Sequence, residues 1–374
     1  MISFLYTIAI LCNIFCFSVK KESRIVKLLT LIIILIIWGG NVFGPDIANY
    51  MRNYKIGIHS IAQEQEKLYY IFMNICFSLK FTFFQYRIIV SLCAILVFYF
   101  VFKKFNTNIH LISVLYMLTI FFMDGIQIRN FLGLAFVYLG LYILYEKNKW
   151  WKIEYIICII LASLIHSALI VYLVFLIVPK DLDKKYSKRE IRIILGGGIL
   201  FYLYMYAFRN SLNFLVSITE IGGEAKATEY AQYTTHYGSL IIFLLQMIAI
   251  ILSMYNYKKV VEKNKIIVQK KYDTKLCGIE KDLKVLKFII YINTIALLFV
   301  PFSIIQSTYY RLIRNLVLLN FIGMGIVSKW YKKNVKIFII NFIFIGIWFY
   351  KEYVFGGGFQ EYIIPFMEYN KFLK

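Results

Sequence analysis

The chain is a succession of apolar runs, about twelve in 374 residues, separated by short bursts of lysine and arginine. That pattern leaves few folds open. A helix of about 20 apolar residues crosses the ~30 Å hydrocarbon layer of a bilayer. Within that layer each backbone N–H and C=O must find its partner inside the segment, which a helix provides. The runs lie at 2–19, 25–39, 82–102, 109–123, 126–145, 153–165, 167–179, 192–209, 238–256, 288–304, 312–328 and 336–350. They predict an all-α, polytopic integral membrane protein with about twelve transmembrane helices. The sixth and seventh runs are short enough to form a broken or tilted pair.

Composition agrees. Hydrophobic residues make up 61% of the chain and aromatics 19%, against about 45–50% apolar residues in soluble domains. With four prolines and no Pro/Ser-rich linker, the simplest organisation is a single transmembrane domain over 1–374. The first run, ISFLYTIAILCNIFCFSV, has no basic region before it and no small-residue cleavage site after it. It reads as a retained span and not as a signal peptide.

The net charge of +22 does not indicate nucleic acid, which calls for a basic face on a folded soluble module. Here the cations fall between apolar runs. Alternate connections at 20–27, 103–108, 146–152, 180–192, 257–287 and 329–336 hold 29 of the 42 Lys and Arg residues. Acidic residues divide almost evenly. The positive-inside rule makes this set cytoplasmic, with 257–287 as the large cytoplasmic loop. The segments 40–81, 210–237, 305–311 and 351–374, the turn at Asp124 and both termini are then external. The six cysteines have no CxxC spacing, and four lie in apolar runs, so neither a disulfide framework nor a zinc site is expected. No P-loop or dinucleotide fingerprint occurs. The triplets Gly196–Gly198 and Gly356–Gly358 read as close packing or turns.

Charged and polar residues near membrane depth are costly and so point to function. Asp124 ends one run and Arg129 opens the next in MDGIQIRNFLGLAFVYLGLYIL. Arg129 either snorkels to headgroups, pairs with Asp124, or binds an anion through its planar fork. His166 sits in IICIILASLIHSALIVYLVFLI, either as a satisfied core histidine or as a general base or hydroxyl positioner. Ser167 beside it reads as a helix cap. Arg311 and Arg314 in SIIQSTYYRLIRNLVLLNFIGMG share a helix face and either snorkel or join Arg129 in a positive outer pocket. In the external segment 40–81, Asp46 and Tyr50 share a helix face. Glu66, Tyr69 and Tyr70 form a similar cluster, and LYYIFMNICFSL is amphipathic enough to lie along the interface. Exposed tyrosines and carboxylates suit sugars, although tyrosine also collects at interfaces without a ligand.

GPDIANY, QEKLYYIFM, IQIRNFLGLAFVYLG, ASLIHSALIVYL, YYRLIRNLVLL and YIIPFMEY run in order through almost the whole chain. With these pieces the chain resembles the EpsG family of bacterial membrane proteins, related to Wzy-type polysaccharide polymerases. One departure is Asn130, where the pattern has a glutamine after the arginine. The resemblance implies a membrane glycosyltransferase of the bacterial plasma membrane. It would join oligosaccharide repeat units carried on undecaprenyl diphosphate into capsular or exopolysaccharide on the outer face. It implies Arg129, Arg311 and Arg314 as diphosphate-binding residues and His166, Asp46 or Glu66 as the catalytic base or positioner. Tyr50 and Tyr69 would hold sugar rings, with no metal and no cofactor. Its partners would be the lipid-linked oligosaccharide and the bilayer, with flippase and chain-length regulator proteins alongside. The alternatives are a flippase or transporter of the same lipid-linked units, or a glycan ligase or acyltransferase of the same pathway.

Overall fold

The structure, a computed structural model, describes residues 1–56, 66–179, 188–207, 236–269, 273–305, 307–331, 335–355 and 358–373. Among these residues every extended element is helical and no strand forms. The one bridge pairs Asn41 with Asn370. Each of the apolar runs named above falls on a helix where it is described. Six helices are long and apolar enough to cross a membrane: Phe83–Lys104, Ile128–Glu146, Gly238–Val268, Gly278–Ile304, Arg311–Trp330 and Val335–Phe355. Shorter apolar helices, among them Ile2–Ser18 and Ile109–Thr119, accompany them. The chain is a multi-pass membrane protein. The expected external segment 210–237 lies almost wholly outside the described residues.

The chain divides into two compact units, Met1–Leu173 with Phe342–Lys374, and Val174–Asn341. The first contains α1 (Ile2–Ser18), α2 (Arg24–Gly40), α3 (Pro45–Ile56), α4 (Lys67–Ser78), α5 (Phe83–Lys104), α6 (Ile109–Thr119), α7 (Phe121–Ile126), α8 (Ile128–Glu146) and α9 (Trp151–Ile165). Local chemistry sets the boundaries. Ser23 starts α2 by accepting from the Val26 N–H at 3.3 Å. Thr82 and Gln85 form a capping box at the start of α5, satisfying donors that have no partner within the helix. Lys147, in the left-handed region at φ 52°, ends α8. α8 packs on α9 and α5, α5 on α2, and α1 on both α2 and α6.

The tail closes this unit. Tyr350–Phe355 and Phe359–Ile363 are π-helical, and Ile364–Glu368 is α-helical. Phe366 stacks edge-on against Phe122 at 5.4 Å. Asn370 then reaches the end of α2 and donates from Nδ2 to the Ile37 carbonyl at 3.0 Å. The Lys371 N–H bonds the Gly40 carbonyl at 2.7 Å. The last carbonyls of α2 thus find partners 333 residues away in sequence. Gly40 is required there, because a Cβ on it would lie 2.1 Å from Asn370 Oδ1.

In the second unit, helices His236–Gln269 and Asp273–Ile295 pack together, and Val317–Trp330 lies against both. The lysine-rich stretch 257–287 is therefore helical over 257–269 and 273–287, continuing the two flanking helices. A buried polar network ties the unit. Asn293 donates to Ser253 Oγ at 2.7 Å and to Asn320 Oδ1 at 2.8 Å. Gln246 donates to the Asn293 carbonyl at 2.5 Å. Such bonds join membrane helices where lipid supplies no hydrophobic drive between them.

Candidate active site

Three connections of the first unit meet at one carboxylate. Glu66 occupies the N-cap position of α4, at φ −98° and ψ 55°. Arg129 is the second residue of α8, and His166 is the C-cap of α9, with an extended backbone at φ −148° and ψ 107°. α8 and α9 form a helical hairpin, so the start of one lies beside the end of the other. Gly133, one turn into α8, makes this approach close: a Cβ there would sit 2.4 Å from Leu169 Cδ1 and 3.3 Å from the Ala162 carbonyl. Small residues at such crossings let helix backbones come together.

Glu66 is bound on both oxygens. Oε2 pairs with Arg129 Nη1. Oε1 accepts from His166 Nδ1 at 2.9 Å and from the Ser167 N–H at 3.2 Å. Burial is the largest influence on Glu66 and pushes its pKa up. The His166 hydrogen bond, the Arg129 charge and the Ser167 N–H outweigh it, so the carboxyl is held below its usual value. Accepting from Nδ1 fixes the histidine tautomer and makes Nε2 the ring's proton acceptor when the imidazole is neutral. Among the described residues, Glu66 is the only acceptor that the Arg129 guanidinium meets. The side chains of Arg129, Glu66 and His166 keep 25%, 12% and 19% of their surface exposed.

Two tyrosines back the arginine. The Arg129 guanidinium lies 5.6 Å from the Tyr50 ring centre and 5.8 Å from that of Tyr69, and the two rings are 5.9 Å apart. The sequence reading takes both tyrosines for exposed sugar platforms. In the structure α3 packs on α4, and both rings are buried, at 7% and 0% exposure. Burial raises the pKa of Tyr50, and it pushes that of Tyr69 up to about 12. Both are neutral phenols at physiological pH.

Asp46 lies one helical turn before Tyr50. It is partly exposed and has no hydrogen-bond or ion-pair partner among the described residues. Asp124 does not pair with Arg129; it accepts from the Tyr116 hydroxyl at 3.0 Å. Arg311 and Arg314 belong to the second unit, on the single turn Arg311–Arg314. Arg311 is partly exposed. Arg314 is buried, donates to the Tyr310 hydroxyl at 3.2 Å and lies over that ring.

One residue escapes the sequence reading. Arg87 lies in α5 and is 1% exposed, with its guanidinium on two backbone carbonyls of this unit. The signal was present, since it is the single charge in FFQYRIIVSLCAILVFYF.

A family model described as the EpsG family matches residues 25–367, nearly the whole chain. No curated protein and no solved structure gives a significant match.

Proposed function

The chain belongs to the EpsG family of Wzy-type polysaccharide polymerases, and from that premise we propose that it joins oligosaccharide repeat units carried on undecaprenyl diphosphate at the outer face of a bacterial plasma membrane. The observation that carries the assignment of the site is the double engagement of Glu66, which holds a histidine on one oxygen and an arginine on the other. In this reading a proton acceptor and a cation share one carboxylate.

The reaction has two demands. A sugar hydroxyl must lose its proton as its oxygen bonds to the donor's anomeric carbon. The bond from that carbon to the diphosphate must break, leaving negative charge on undecaprenyl diphosphate. In our reading His166 Nε2 takes the proton, with Nδ1–H anchored on Glu66, a division of labour that positioned bases use generally. Glu66 itself is a poor base, because three donors already occupy its oxygens. Arg129 directs its remaining N–H groups at the diphosphate, where charge grows in the transition state. Tyr50 and Tyr69 act through Arg129, whose guanidinium lies within cation–π distance of both rings. Arg311 and Arg314 are proposed as further cations for the diphosphate. Asp46 is the second candidate for the acceptor hydroxyl or a neighbouring sugar. The donor carries its own activation, so the proposed reaction needs no nucleotide.

In the same proposal, the six long helices and the shorter apolar ones make about twelve crossings with both termini outside. The whole chain, 1–374, works as one polymerase beside flippase and chain-length regulator proteins.

The test expresses Arg129→Ala, Arg311→Ala and His166→Ala at normal level in a polymerase-null strain and resolves the repeat-unit ladder. Single repeat units should accumulate outside the cell. A full ladder from all three variants would sink the site assignment. Units trapped inside in the null strain would mean a flippase.

A further inference from the structure

Arg87 is a buried cation with no carboxylate within ion-pair reach among the described residues. A charge in a membrane span is costly and is retained for a reason. Its partners are both backbone carbonyls: Nη1 bonds that of Asn41, and Nη2 that of Gly125 at 2.8 Å. Phe83 lies beneath the guanidinium at 5.9 Å. The chain positions of these carbonyls give the bonds their meaning. Asn41 is where α2 ends and the backbone turns extended, four residues before α3, the helix that carries Tyr50. Gly125 lies at the end of α7, four residues before Arg129.

Each of these carbonyls therefore lies just ahead of a helix that delivers one side of the Tyr50–Arg129 contact. Arg87 holds both from a third helix. We propose that Arg87 is a positioning residue for the active site: by bonding the Asn41 and Gly125 carbonyls together it sets the separation of Tyr50 from Arg129, and through Arg129 the register of Glu66 and His166. This rests on the reading of Glu66, Arg129 and His166 as the site. The planar fork is essential, because its two nitrogens reach carbonyls on two different connections in one fixed plane. A lysine ammonium is a single point with no such plane. The neighbouring contacts fit a joint of fixed geometry. A Cβ on Gly125 would lie 2.6 Å from Trp38 Nε1 and 2.8 Å from Phe366 Cζ, so this connection has no slack.

The test uses the purified full-length protein in nanodiscs, with undecaprenyl-diphosphate-linked single repeat units from polymerase-null cells as substrate. Arg87→Lys should retain the thermal midpoint and the donor KM to within about threefold. Its kcat should fall by about tenfold or more, because small displacements of catalytic groups act on the chemical step. Gly125→Ala disturbs the same joint from its other end; it should lower the thermal midpoint, and the folded protein should show the same split of kcat against KM. It decides the matter if Arg87→Lys does not assemble. Wild-type kcat in either folded variant would overturn the proposal, as would a loss confined to KM. Arg129→Ala and Glu66→Gln run in parallel. If they are inactive while Arg87→Lys is normal, the positioning role fails and the site stands. If they are fully active, the site reading fails and the positioning role falls with it.

Discussion

Glu66 and His166 stand 100 positions apart in sequence and meet at 2.9 Å, carboxylate oxygen to imidazole Nδ1. The other oxygen of the same carboxylate holds Arg129. Glu66→Gln keeps the shape and removes the charge, so the tautomer of His166 and the aim of Arg129 both lose their restraint. Polymerisation should fall by about two orders of magnitude, the lower end of what positioned acid–base groups contribute. His166→Ala should fall at least as far. The check is the initial rate of repeat-unit joining in membranes holding equal amounts of each protein. Equal rates for wild type and Glu66→Gln would remove Glu66 from the account.

The tyrosines give a second expectation, and it separates two roles. If Tyr50 serves Arg129 through its ring, Tyr50→Phe should stay near wild-type activity. Tyr50→Leu should lose a contact worth about 0.5–2 kcal/mol, or roughly two- to thirtyfold in rate. A hydroxyl bonded to sugar predicts instead that Phe is as damaging as Leu. Arg129→Lys belongs to the same comparison. A lysine retains charge but has neither a planar face for the rings nor a fork, so it should resemble Arg129→Ala more than wild type.

The pH dependence follows from the sign of the Glu66 shift. Its folded pKa lies below the ordinary value, so its contribution to stability is fully present above the unfolded Glu value of about 4.3. That contribution is lost as pH falls through the lower folded value. The gap in thermal midpoint between wild type and Glu66→Gln should therefore not narrow between neutral pH and about 5, and should close only below about 4.3. A gap that closes between pH 5 and 7 would contradict the charge state assigned here.

The tail supplies a stability prediction away from the chemistry. In Gly40→Ala the new methyl meets Asn370 Oδ1, so the side chain must turn away and its Nδ2 leaves the Ile37 carbonyl at the end of α2. Destabilisation of about 1–3 kcal/mol is expected from the displaced side chain and the unpaired carbonyl. Asn370→Ala alone should cost less, and the double variant should be less damaged than the sum of the two. Thermal melts of the four proteins form the cycle. Strict additivity would show that the tail does not seat on Gly40.

How much of this was legible in the sequence depended on the range of the interaction. The helices were readable because apolar run length and local caps such as Ser23 and Thr82 act over a few residues. The candidates Glu66, Arg129 and His166 were readable as chemical types at membrane depth, and the family pattern ran through all three. Their pairing was not, since Arg129 had a nearer acid in Asp124, and only the α8–α9 hairpin together with the start of α4 selects Glu66. The two histidines at apolar sites show the same limit. His110 is satisfied by neutral partners, Asn13 Oδ1 at 2.8 Å and the Ser23 N–H at 3.2 Å, whereas His166 faces a carboxylate. Nothing in their local sequence separates them. Tyr50 and Tyr69 looked exposed because a helix face alone does not reveal which helix will cover it. Arg87 carried a signal as a lone charge in a span, but its meaning lies in two carbonyls that are 46 and 38 residues away.

The central claim is that this chain joins lipid-diphosphate-linked repeat units through Glu66, Arg129 and His166. The most direct measurement puts the purified full-length protein in nanodiscs with undecaprenyl-diphosphate-linked single repeat units as the only substrate, and follows product length and released undecaprenyl diphosphate together. The account predicts a ladder of oligomers with one lipid diphosphate released per bond formed, and neither product from His166→Ala. A ladder undiminished in His166→Ala, Glu66→Gln and Arg129→Ala, or no ladder from folded wild-type protein, would contradict it.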